Sequence, residues 1–336
     1  MKQKNTQFST NETNMAKIQK VLRERSSTAL ELARKRILEI EVENSQGQQA
    51  LKLYAKHWDD ITHPGMLALA CEAVGGSPDK SVPVQVATLL LTAAMDLHDD
   101  AIDRSKVKNG KITVYGKFGS DISILIGDAF LLEGFLLLQR HAETTTQMTM
   151  RKILYTIEKA FVRIGNAHLL DATLKGKKDI SPAEYLRIVE KKASGIEVHF
   201  RIGAILGGGT ENQIEALGQY GRILGTLITL REDYIDLFEP KELSNRIKNE
   251  LPPFPILCAF QDKKLKKKIV GILSNQEISK KEVNNILYSI REAGVIDDFR
   301  LQMQEMAKNA YRAVESIEEK QKAELNLLIE GTLEDI

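Results

Sequence analysis

Apolar and polar residues recur along the chain with the spacing of α-helices. Between Asn14 and about Glu43, Ile18, Leu22 and Ile37 fall on one side of an otherwise charged segment, which predicts an amphipathic helix. From Pro83 to about Ser105 the residues are largely apolar, which predicts a buried central helix. Alternating β-branched stretches, typical of strands, are hard to find. The pattern predicts an all-α protein.

Proline and glycine mark the predicted helix limits. Long tracts rich in Leu, Ala, Ile, Glu and Lys lie between the eight prolines. Ser181, Pro182 and Glu184 combine a cap, a first-turn proline and a capping-box acid for a helix through Leu206. Further helices are predicted at 48–58, 64–74, 122–142, 146–174 and 210–238, with two or three charged ones over 262–330. We expect a flexible tail over residues 1–15 and a single domain over residues 16–336.

Composition and charge narrow the possible classes of protein. The chain has 336 residues, and its 47 Lys+Arg against 46 Asp+Glu leave a net charge of +1, which argues against bulk attraction to nucleic acid. Cys71 and Cys258 are too few and too far apart for a disulfide framework, so a cytoplasmic protein is expected. No signal peptide is expected, because the N-terminal residues are polar and lack an apolar core segment. No transmembrane segment is expected, because no apolar stretch approaches about 18 residues.

The predicted central helix ends in a group of acidic residues. Asp99, Asp100 and Asp103, with Asp96 before them, lie three or four residues apart on neighbouring helix positions. Like charges at this spacing destabilise a helix by roughly 0.2–0.5 kcal/mol per pair, and the C-terminal end of a helix disfavours anions. A hard divalent cation would compensate, and Mg²⁺ prefers carboxylate and phosphate oxygens.

A second acidic group repeats this pattern later in the chain. Glu232 and Asp233 form a doublet, and Asp236 follows on the same face, late in an apolar helix. One such group is typical of a solvated helix end, whereas two favour metal ions held around a polyphosphate. Other metal chemistries fit less well: no histidine has a Glu three residues before it, as di-iron bundles require, and neither a zinc HExxH motif nor a P-loop is present. His98 is expected to be a packing residue more readily than a ligand.

At these residues the chain resembles the trans-isoprenyl diphosphate synthases, or polyprenyl synthetases. The family's two aspartate-rich motifs are matched by Asp99, Asp100 and Asp103 and by Glu232, Asp233 and Asp236, with Glu in the first place of the second motif. Segments 67–76, 109–128, 203–208 and 248–252 also fall in the family's order. The resemblance implies an all-α isoprenoid-synthase bundle around a deep central cavity, usually in a homodimer.

The resemblance also implies Mg²⁺-dependent prenyl transfer. An allylic prenyl diphosphate would be held by about three Mg²⁺ ions between the motifs, which would neutralise the charge that develops as the C–O bond breaks. Asp99, Asp103 and Glu232 are the best candidate ligands, with Asp100, Asp233 and Asp236 completing the two groups. Three lysines match the family's diphosphate-binding positions, namely Lys108, Lys192 and Lys248, and Lys192 joins Asp99 and Asp103 as a candidate catalytic residue.

The chain departs from the family where the second substrate, isopentenyl diphosphate, is bound. A Lys–Arg motif becomes Asp60 and His63, a His or Gln becomes Thr92, and an Arg becomes Asn109. Charge-assisted hydrogen bonds contribute roughly 1.5–3 kcal/mol each, so a second diphosphate should bind far more weakly. We therefore expect transfer to an acceptor other than isopentenyl diphosphate, such as an aromatic, small-molecule or peptide group.

Three alternatives remain open from the sequence. They are ordinary chain elongation of the geranylgeranyl or farnesyl type with an unusual acceptor site, a non-catalytic subunit of such an enzyme, and a terpene cyclase. The length of the prenyl tail is indicated only weakly. By resemblance, Leu91, Ala94 and Met95 before the first motif and Ile228 and Thr229 before the second would line the tail cavity, where the small Ala94 leaves room for a tail longer than farnesyl. Plain helix packing explains the same residues.

Overall fold

The described part of the chain folds into sixteen helices and one short hairpin. The computed structural model describes residues 13–175, 177, 179–273, 279–334 and 336, and the side chains of residues 248, 249 and 273 lie outside that description. The first eight elements are α1 (Asn14–Leu38), α2 (Ser45–His57), α3 (Thr62–Ala73), α4 (Pro78–Ile102), β1 (Val107–Lys108), β2 (Lys111–Ile112), α5 (Val114–Phe118) and α6 (Ser120–Ala142). The others are α7 (Gln147–Leu174), α8 (Pro182–Lys192), α9 (Ser194–Leu206), α10 (Glu211–Asp236), α11 (Pro240–Asn249), α12 (Phe254–Ala259), α13 (Lys263–Leu273), α14 (Lys280–Glu292), α15 (Val295–Ala313) and α16 (Glu319–Leu333). The prediction of an all-α protein is confirmed.

Backbone contacts divide the chain into two compact units. The first consists mainly of residues 16–156 and 199–214, and the second mainly of residues 157–198 and 215–336. The prediction of one domain over residues 16–336 stays a prediction. Most of the predicted tail, residues 1–12, lies outside the described residues, and α1 begins at Asn14, within the segment expected to be flexible.

In the first unit, α4 packs along α6 at two glycines. A Cβ atom on Gly134 would lie 2.7 Å from Leu91 Cδ2, and one on Gly127 would lie 2.6 Å from His98 Cδ2. Leu91 and Ala94 are buried at this contact. The helix is largely buried, as its apolar sequence predicts, but it starts at Pro78 rather than Pro83, so that Pro83 lies inside it.

A tight hairpin follows α4. Val107 and Lys108 pair antiparallel with Ile112 and Lys111. The two turn residues, Asn109 and Gly110, have φ angles of 51° and 72°. Positive φ at both positions is typical of the two-residue turns that Asn-Gly favours. The hairpin was not predicted, although this dipeptide is its usual sequence signal.

The second unit differs from the prediction in two places. The helix expected from Ser181 to Leu206 is two helices that meet at Ala193, followed by Ser194 and Gly195, which are weaker helix formers than Ala. Its start is as predicted, because Ser181 and Glu184 form a reciprocal capping box. Among its described residues, the charged C-terminal region contains four helices, α13 to α16, rather than the two or three predicted. Gly294 at φ 75° separates α14 from α15.

Candidate active site

The first acidic cluster, Asp99, Asp100 and Asp103, lies at the C-terminal end of α4. Asp103 is the C-cap, and its backbone N–H donates to the Asp99 carbonyl at 2.8 Å. Asp100 is only 5% exposed. Burial raises the pKa of Asp100 to about 6, helped by Asp96, Asp99 and Asp103 and opposed by the ammonium of Lys108. Negative charge is therefore crowded at this helix end, as the sequence predicts.

Lys108 is brought to this cluster by the hairpin. Its ammonium group donates a hydrogen bond to Asp96 and lies 3.8 Å from Asp100 Oδ1. Partial burial would lower the pKa of Lys108, but the attraction of Asp96 and Asp100 outweighs it, and the pKa is raised. The lysine predicted to bind diphosphate is thus cationic and already paired with carboxylates.

A pocket of about 350 Å³ opens beside these residues, and we call it the first pocket. All four positions where the chain departs from the family's acceptor site line it, namely Asp60, His63, Thr92 and Asn109. Asp96, Asp100 and Lys108 line it as well. Residues that are far apart in sequence therefore meet in one site.

Asp60 and His63 form a close pair at the start of α3. Asp60 Oδ2 lies 2.6 Å from His63 Nδ1, and Asp60 Oδ1 accepts the backbone N–H groups of Thr62 and His63 at 3.0 and 3.2 Å. Burial opposes the charged form of both groups, but their mutual attraction outweighs it, lowering the pKa of Asp60 and raising the pKa of His63. The ring of His63 also contacts that of His199, with centroids 4.8 Å apart.

Tyr54 adds a polar group that the sequence did not single out. It lines the first pocket and is only 8% exposed, with its ring against Phe130 and Trp58 at 5.2 and 5.4 Å between centroids. Its hydroxyl is buried and makes no hydrogen bond within the described part of the chain. Burial raises the pKa of Tyr54 well above its usual value, with a contribution from Asp96 and Asp60, so the hydroxyl is neutral.

The second acidic cluster, Glu232, Asp233 and Asp236, lies at the C-terminal end of α10. Asp233 is 1% exposed. It accepts hydrogen bonds from the Tyr185 hydroxyl at 2.7 and 2.9 Å and from Arg246 Nη2 at 2.8 Å. Asp236 accepts from Arg246 Nη1 at 2.6 Å. Two of the three acids are thus tied to one arginine.

A second pocket, of about 380 Å³, is lined by the whole second acidic cluster. Lys192 lines it too, and its ammonium group is bound to Asp171 on α7. Thr229, one of the predicted tail-cavity residues, lies in the same wall, where its hydroxyl donates to the Gly225 carbonyl at 3.1 Å. Glu232 is exposed on one side, but desolvation by the surrounding pocket wall and the neighbouring carboxylates Asp233 and Asp236 raise its pKa. Lys192 therefore lies beside the second cluster, and its role in binding diphosphate stays a prediction.

The other predicted residues have simpler surroundings. The side chain of Lys248 lies outside the described residues, although its backbone belongs to α11. His98 packs over Gly127, and its Nε2 lies 3.3 Å from the Ile124 carbonyl oxygen and 3.2 Å from Asp128 Oδ1, in agreement with a packing role. Met95 and Ile228 are half-buried, and their role in a tail cavity stays a prediction.

A comparison with known families decides the relationship. A model of the polyprenyl synthetase family matches residues 15–290, which include both acidic clusters. The chain belongs to the polyprenyl synthetase family. It is 31% identical over 186 residues to a geranylgeranyl diphosphate synthase of Methanosarcina mazei, a match that spans 55% of this chain and 57% of that protein. It is 26% identical over 263 residues to an octaprenyl diphosphate synthase of Haemophilus influenzae, spanning 76% of this chain and 78% of that one.

Solved structures agree on the fold of this polyprenyl synthetase. A geranylgeranyl pyrophosphate synthetase of Pyrococcus horikoshii has a TM-score of 0.83 at 23% identity, over 95% of this chain and 99% of that one. The fold is therefore the all-helical isoprenoid-synthase fold that the sequence predicts. Across the described residues, the structure holds no helix with both the length and the apolar character needed to span a bilayer.

The residues of both clusters can be tested against the magnesium that the family implies. Carboxylate oxygens are the ligands that Mg²⁺ prefers. The pKa of Asp100 is raised mainly by burial and further by the neighbouring carboxylates, and a bound cation would oppose both effects. No three His, Cys, Asp or Glu side chains of the described part converge closely enough to hold a metal ion by themselves, and Mg²⁺ commonly completes its shell with water and substrate phosphates. Asp233 fits poorly, because its oxygens are occupied.

Three contributors to the site were missed from the sequence, namely Tyr54, Tyr185 and Arg246. None of them lies beside an acidic cluster in the sequence, and a lone tyrosine or arginine gives no chemical signal. Arg246 lies two residues before Lys248, in a segment whose resemblance to the family points only to the lysine. Their roles depend on which helices pack together.

Proposed function

We propose that this polyprenyl synthetase is a Mg²⁺-dependent prenyltransferase that transfers the prenyl group of an allylic diphosphate. The proposal is carried by the two acidic clusters, which end α4 and α10 within the region that the family model matches. Each cluster adjoins a pocket lined by a lysine, Lys108 in the first and Lys192 in the second. A set of carboxylates with nearby cations suits a metal-bound diphosphate.

In the proposed mechanism, Asp99 and Asp103 of the first acidic cluster and Glu232 of the second would each hold magnesium. When bound, magnesium supplies positive charge that stabilises the leaving diphosphate. Lys108 and Lys192 donate hydrogen bonds to the diphosphate oxygens, which requires each ammonium to exchange its contact with Asp96 or Asp171 for one with substrate. As the C–O bond breaks, the electron pair leaves with the diphosphate and the allylic carbon becomes electrophilic.

The comparisons favour isopentenyl diphosphate as the acceptor. The relatives include geranylgeranyl and octaprenyl diphosphate synthases, and such enzymes extend an allylic chain by isopentenyl units. They give no support to the expectation of an unusual acceptor. We therefore propose chain elongation to a polyprenyl diphosphate as the first candidate function.

Transfer to an acceptor without a diphosphate is kept as a second candidate because of the first pocket. Its lining contains four aspartates, Asp59, Asp60, Asp96 and Asp100, against two lysines, Lys108 and Lys111. Lys108 is paired with Asp96, and Lys111 donates to the His57 carbonyl at 3.2 Å. The buried Tyr54 hydroxyl and the Asp60–His63 pair suit a neutral acceptor with an O–H or N–H group better than a second anion.

We also propose a homodimer, on the evidence of exposed apolar side chains on α6. Leu125 and Leu132, seven residues apart on one face, are 64% and 62% exposed, and Phe135 is 40% exposed. Such a patch marks a surface that another protein covers. Light scattering should give twice the monomer mass for the wild type and the monomer mass for Leu132→Glu; a wild-type monomer would contradict the dimer.

Incubation with farnesyl or geranylgeranyl diphosphate and Mg²⁺, with and without isopentenyl diphosphate, tests the activity. We expect pyrophosphate release and a product longer by whole isoprene units when isopentenyl diphosphate is present. Pyrophosphate release without elongation would favour the second candidate. No pyrophosphate release in any mixture would overturn the catalytic proposal.

Variants of the first acidic cluster separate chemistry from folding. Asp99→Asn and Asp103→Asn should each lower turnover by about 100-fold or more, because a metal ligand is lost, while the helical circular dichroism is unchanged. Asp121→Asn is the matched control, since Asp121 is an exposed aspartate in the first turn of α6. Its turnover should equal that of the wild type.

A further inference from the structure

Arg246 occupies the centre of the second acidic cluster. Its side chain is 14% exposed, and its Nη1 and Nη2 atoms bind Asp236 and Asp233 at 2.6 and 2.8 Å. Its Nε donates to the Leu251 carbonyl at 3.2 Å and lies 3.4 Å from Glu250 Oε2. Three faces of the guanidinium are therefore fixed by protein oxygens, which holds it in one orientation.

Asp233 is enclosed by donors on both of its oxygens. Oδ1 accepts from Arg246 and from the Tyr185 hydroxyl, and Oδ2 accepts from the same hydroxyl at 2.7 Å and from the Phe254 backbone N–H at 3.0 Å. The Tyr185 hydroxyl in turn accepts from Arg246 at 3.1 Å. Because Asp233 is 1% exposed, a metal ion at about 2.0–2.1 Å could reach it only after these bonds broke.

Glu232 and Asp236 are more accessible to a metal ion than Asp233 is. Glu232 is exposed, and Asp236 is 21% exposed at its side chain. Asp236 binds Arg246 through Oδ2. Both acids line the second pocket, where ions and diphosphate would enter.

We infer that Arg246 is the built-in counter-ion of the second acidic cluster, and that this cluster presents Glu232 and Asp236, but not Asp233, to magnesium. The assignment of magnesium to this pocket rests on the proposed function. Three clustered carboxylates need positive charge nearby to remain ionised, and the fixed guanidinium supplies part of it. Arg246 is a positioning residue, since it acts on the metal through Asp236, whose Oδ2 it binds.

The test compares Arg246→Gln with the wild type in full-length protein. Without Arg246 the cluster becomes more negative, so Mn²⁺, used as a spectroscopic substitute for Mg²⁺, should bind roughly tenfold more tightly by electron paramagnetic resonance titration. The variant should melt below the wild type in EDTA and recover most of the difference in Mg²⁺, because the cation replaces the guanidinium. Arg246→Lys should have a Mn²⁺ affinity and a melting temperature between those of the wild type and Arg246→Gln.

Arg222→Gln provides the matched control. Arg222 also binds a buried carboxylate, with Nη2 and Nε 2.6 and 2.8 Å from Glu197 oxygens, and neither residue lines the second pocket. This variant should lose stability in EDTA without recovery in Mg²⁺. Equal Mg²⁺ responses of the two variants, or unchanged Mn²⁺ affinity in Arg246→Gln, would overturn the inference.

Two further variants identify the ligands. Glu232→Gln should weaken Mn²⁺ binding clearly more than Asp233→Asn does. Because Glu232 is exposed, its variant should fold like the wild type, and an unchanged Mn²⁺ affinity in Glu232→Gln would overturn the inference whatever the folding of Asp233→Asn. The result for the wild type separates the two proposals. Mn²⁺ binding by Arg246→Gln but not by the wild type would show Arg246 to be the counter-ion of the cluster, but it would overturn the presentation of Glu232 and Asp236 to magnesium and count against the proposed function. Binding by neither would overturn the inference.

Discussion

Gly203 lies where α9 crosses α3 in the first unit, and its replacement by alanine should destabilise the protein. A Cβ atom at this position would lie 2.1 Å from the Leu67 carbonyl oxygen and 2.8 Å from Ala70 Cβ. Both neighbours belong to α3, in which Leu67 and Ala70 are fully buried. Neither is the end of a flexible side chain, so the two helices would have to separate.

The magnitude follows from the distances. Carbon and carbonyl oxygen normally approach to about 3.3–3.6 Å, so α9 would have to move by more than about 1 Å. Overpacking of this kind typically costs about 1–3 kcal/mol, occasionally more, and the gain in helix propensity from Gly to Ala returns only about 0.5–1 kcal/mol. We expect a net loss of about 2 kcal/mol, which corresponds to a melting temperature lower by about 3 °C for a chain of this length.

Thermal denaturation followed by circular dichroism measures the effect, with Gly165→Ala as the matched control. Gly165 lies inside α7, and among the described residues no neighbouring atom lies within 4 Å of an added Cβ. This variant should be stabilised by about 0.5–1 kcal/mol. His199 lies one helical turn before Gly203, so Gly203→Ala should also shift the NMR signals of His63, which contacts the His199 ring. A Gly203→Ala protein as stable as the wild type would refute the close approach of α9 to α3.

Three further predictions concern single side chains. Because the pKa of Asp100 is raised from 3.8 to about 6, its contribution to stability is present below about pH 4 and is lost as the pH rises through about 6. Urea unfolding without metal should therefore show that the unfolding free energy of Asp100→Asn, relative to that of the wild type, rises by up to about 3 kcal/mol from about pH 4 to pH 8. A difference between the two proteins that does not change with pH would contradict the raised pKa. Tyr185→Phe should lower the unfolding free energy by about 1–3 kcal/mol, since Asp233 loses a donor, whereas Tyr288→Phe, at a 65% exposed position, should have no effect by the same titration. Ser181→Ala should cost about 0.5–2 kcal/mol in thermal denaturation by removing the α8 cap, and an unchanged melting temperature would argue against it.

The acidic clusters could be predicted because they depend only on the spacing of residues that are close together in the sequence. Asp99 and Asp103 are four residues apart, and any helix brings such residues to one face. The capping box at Ser181 is equally local, and the structure has it. The hairpin at Asn109 and Gly110 could have been predicted in the same way, because its turn depends on two adjacent residues.

The break at Ala193 and the division of the C-terminal region were harder to foresee. Ala193 is a strong helix former, yet α8 ends there, where it packs against Gly225 of α10: a Cβ on that glycine would lie 3.0 Å from Ala193 Cβ. Tertiary contacts override helix propensity at such positions, because propensity differences are below about 1 kcal/mol per residue. The interpretation of the acceptor site also changed once the relatives were compared, since residue types alone do not identify a substrate.

The sequence by itself determined the helical fold, the family and the two acidic clusters, because these depend on periodicity, spacing and the order of motifs. Only the tertiary structure decided which acid of each cluster is buried and which cation it pairs with. In both clusters the second acid is buried, Asp100 at 5% and Asp233 at 1% exposure, and its partner comes from a different element. Lys108, which pairs with Asp100, lies on the hairpin, and Arg246, which pairs with Asp233, lies on α11. Burial and charge pairing depend on which helices pack together, so acidic residues at the same spacing in the sequence acquire different roles.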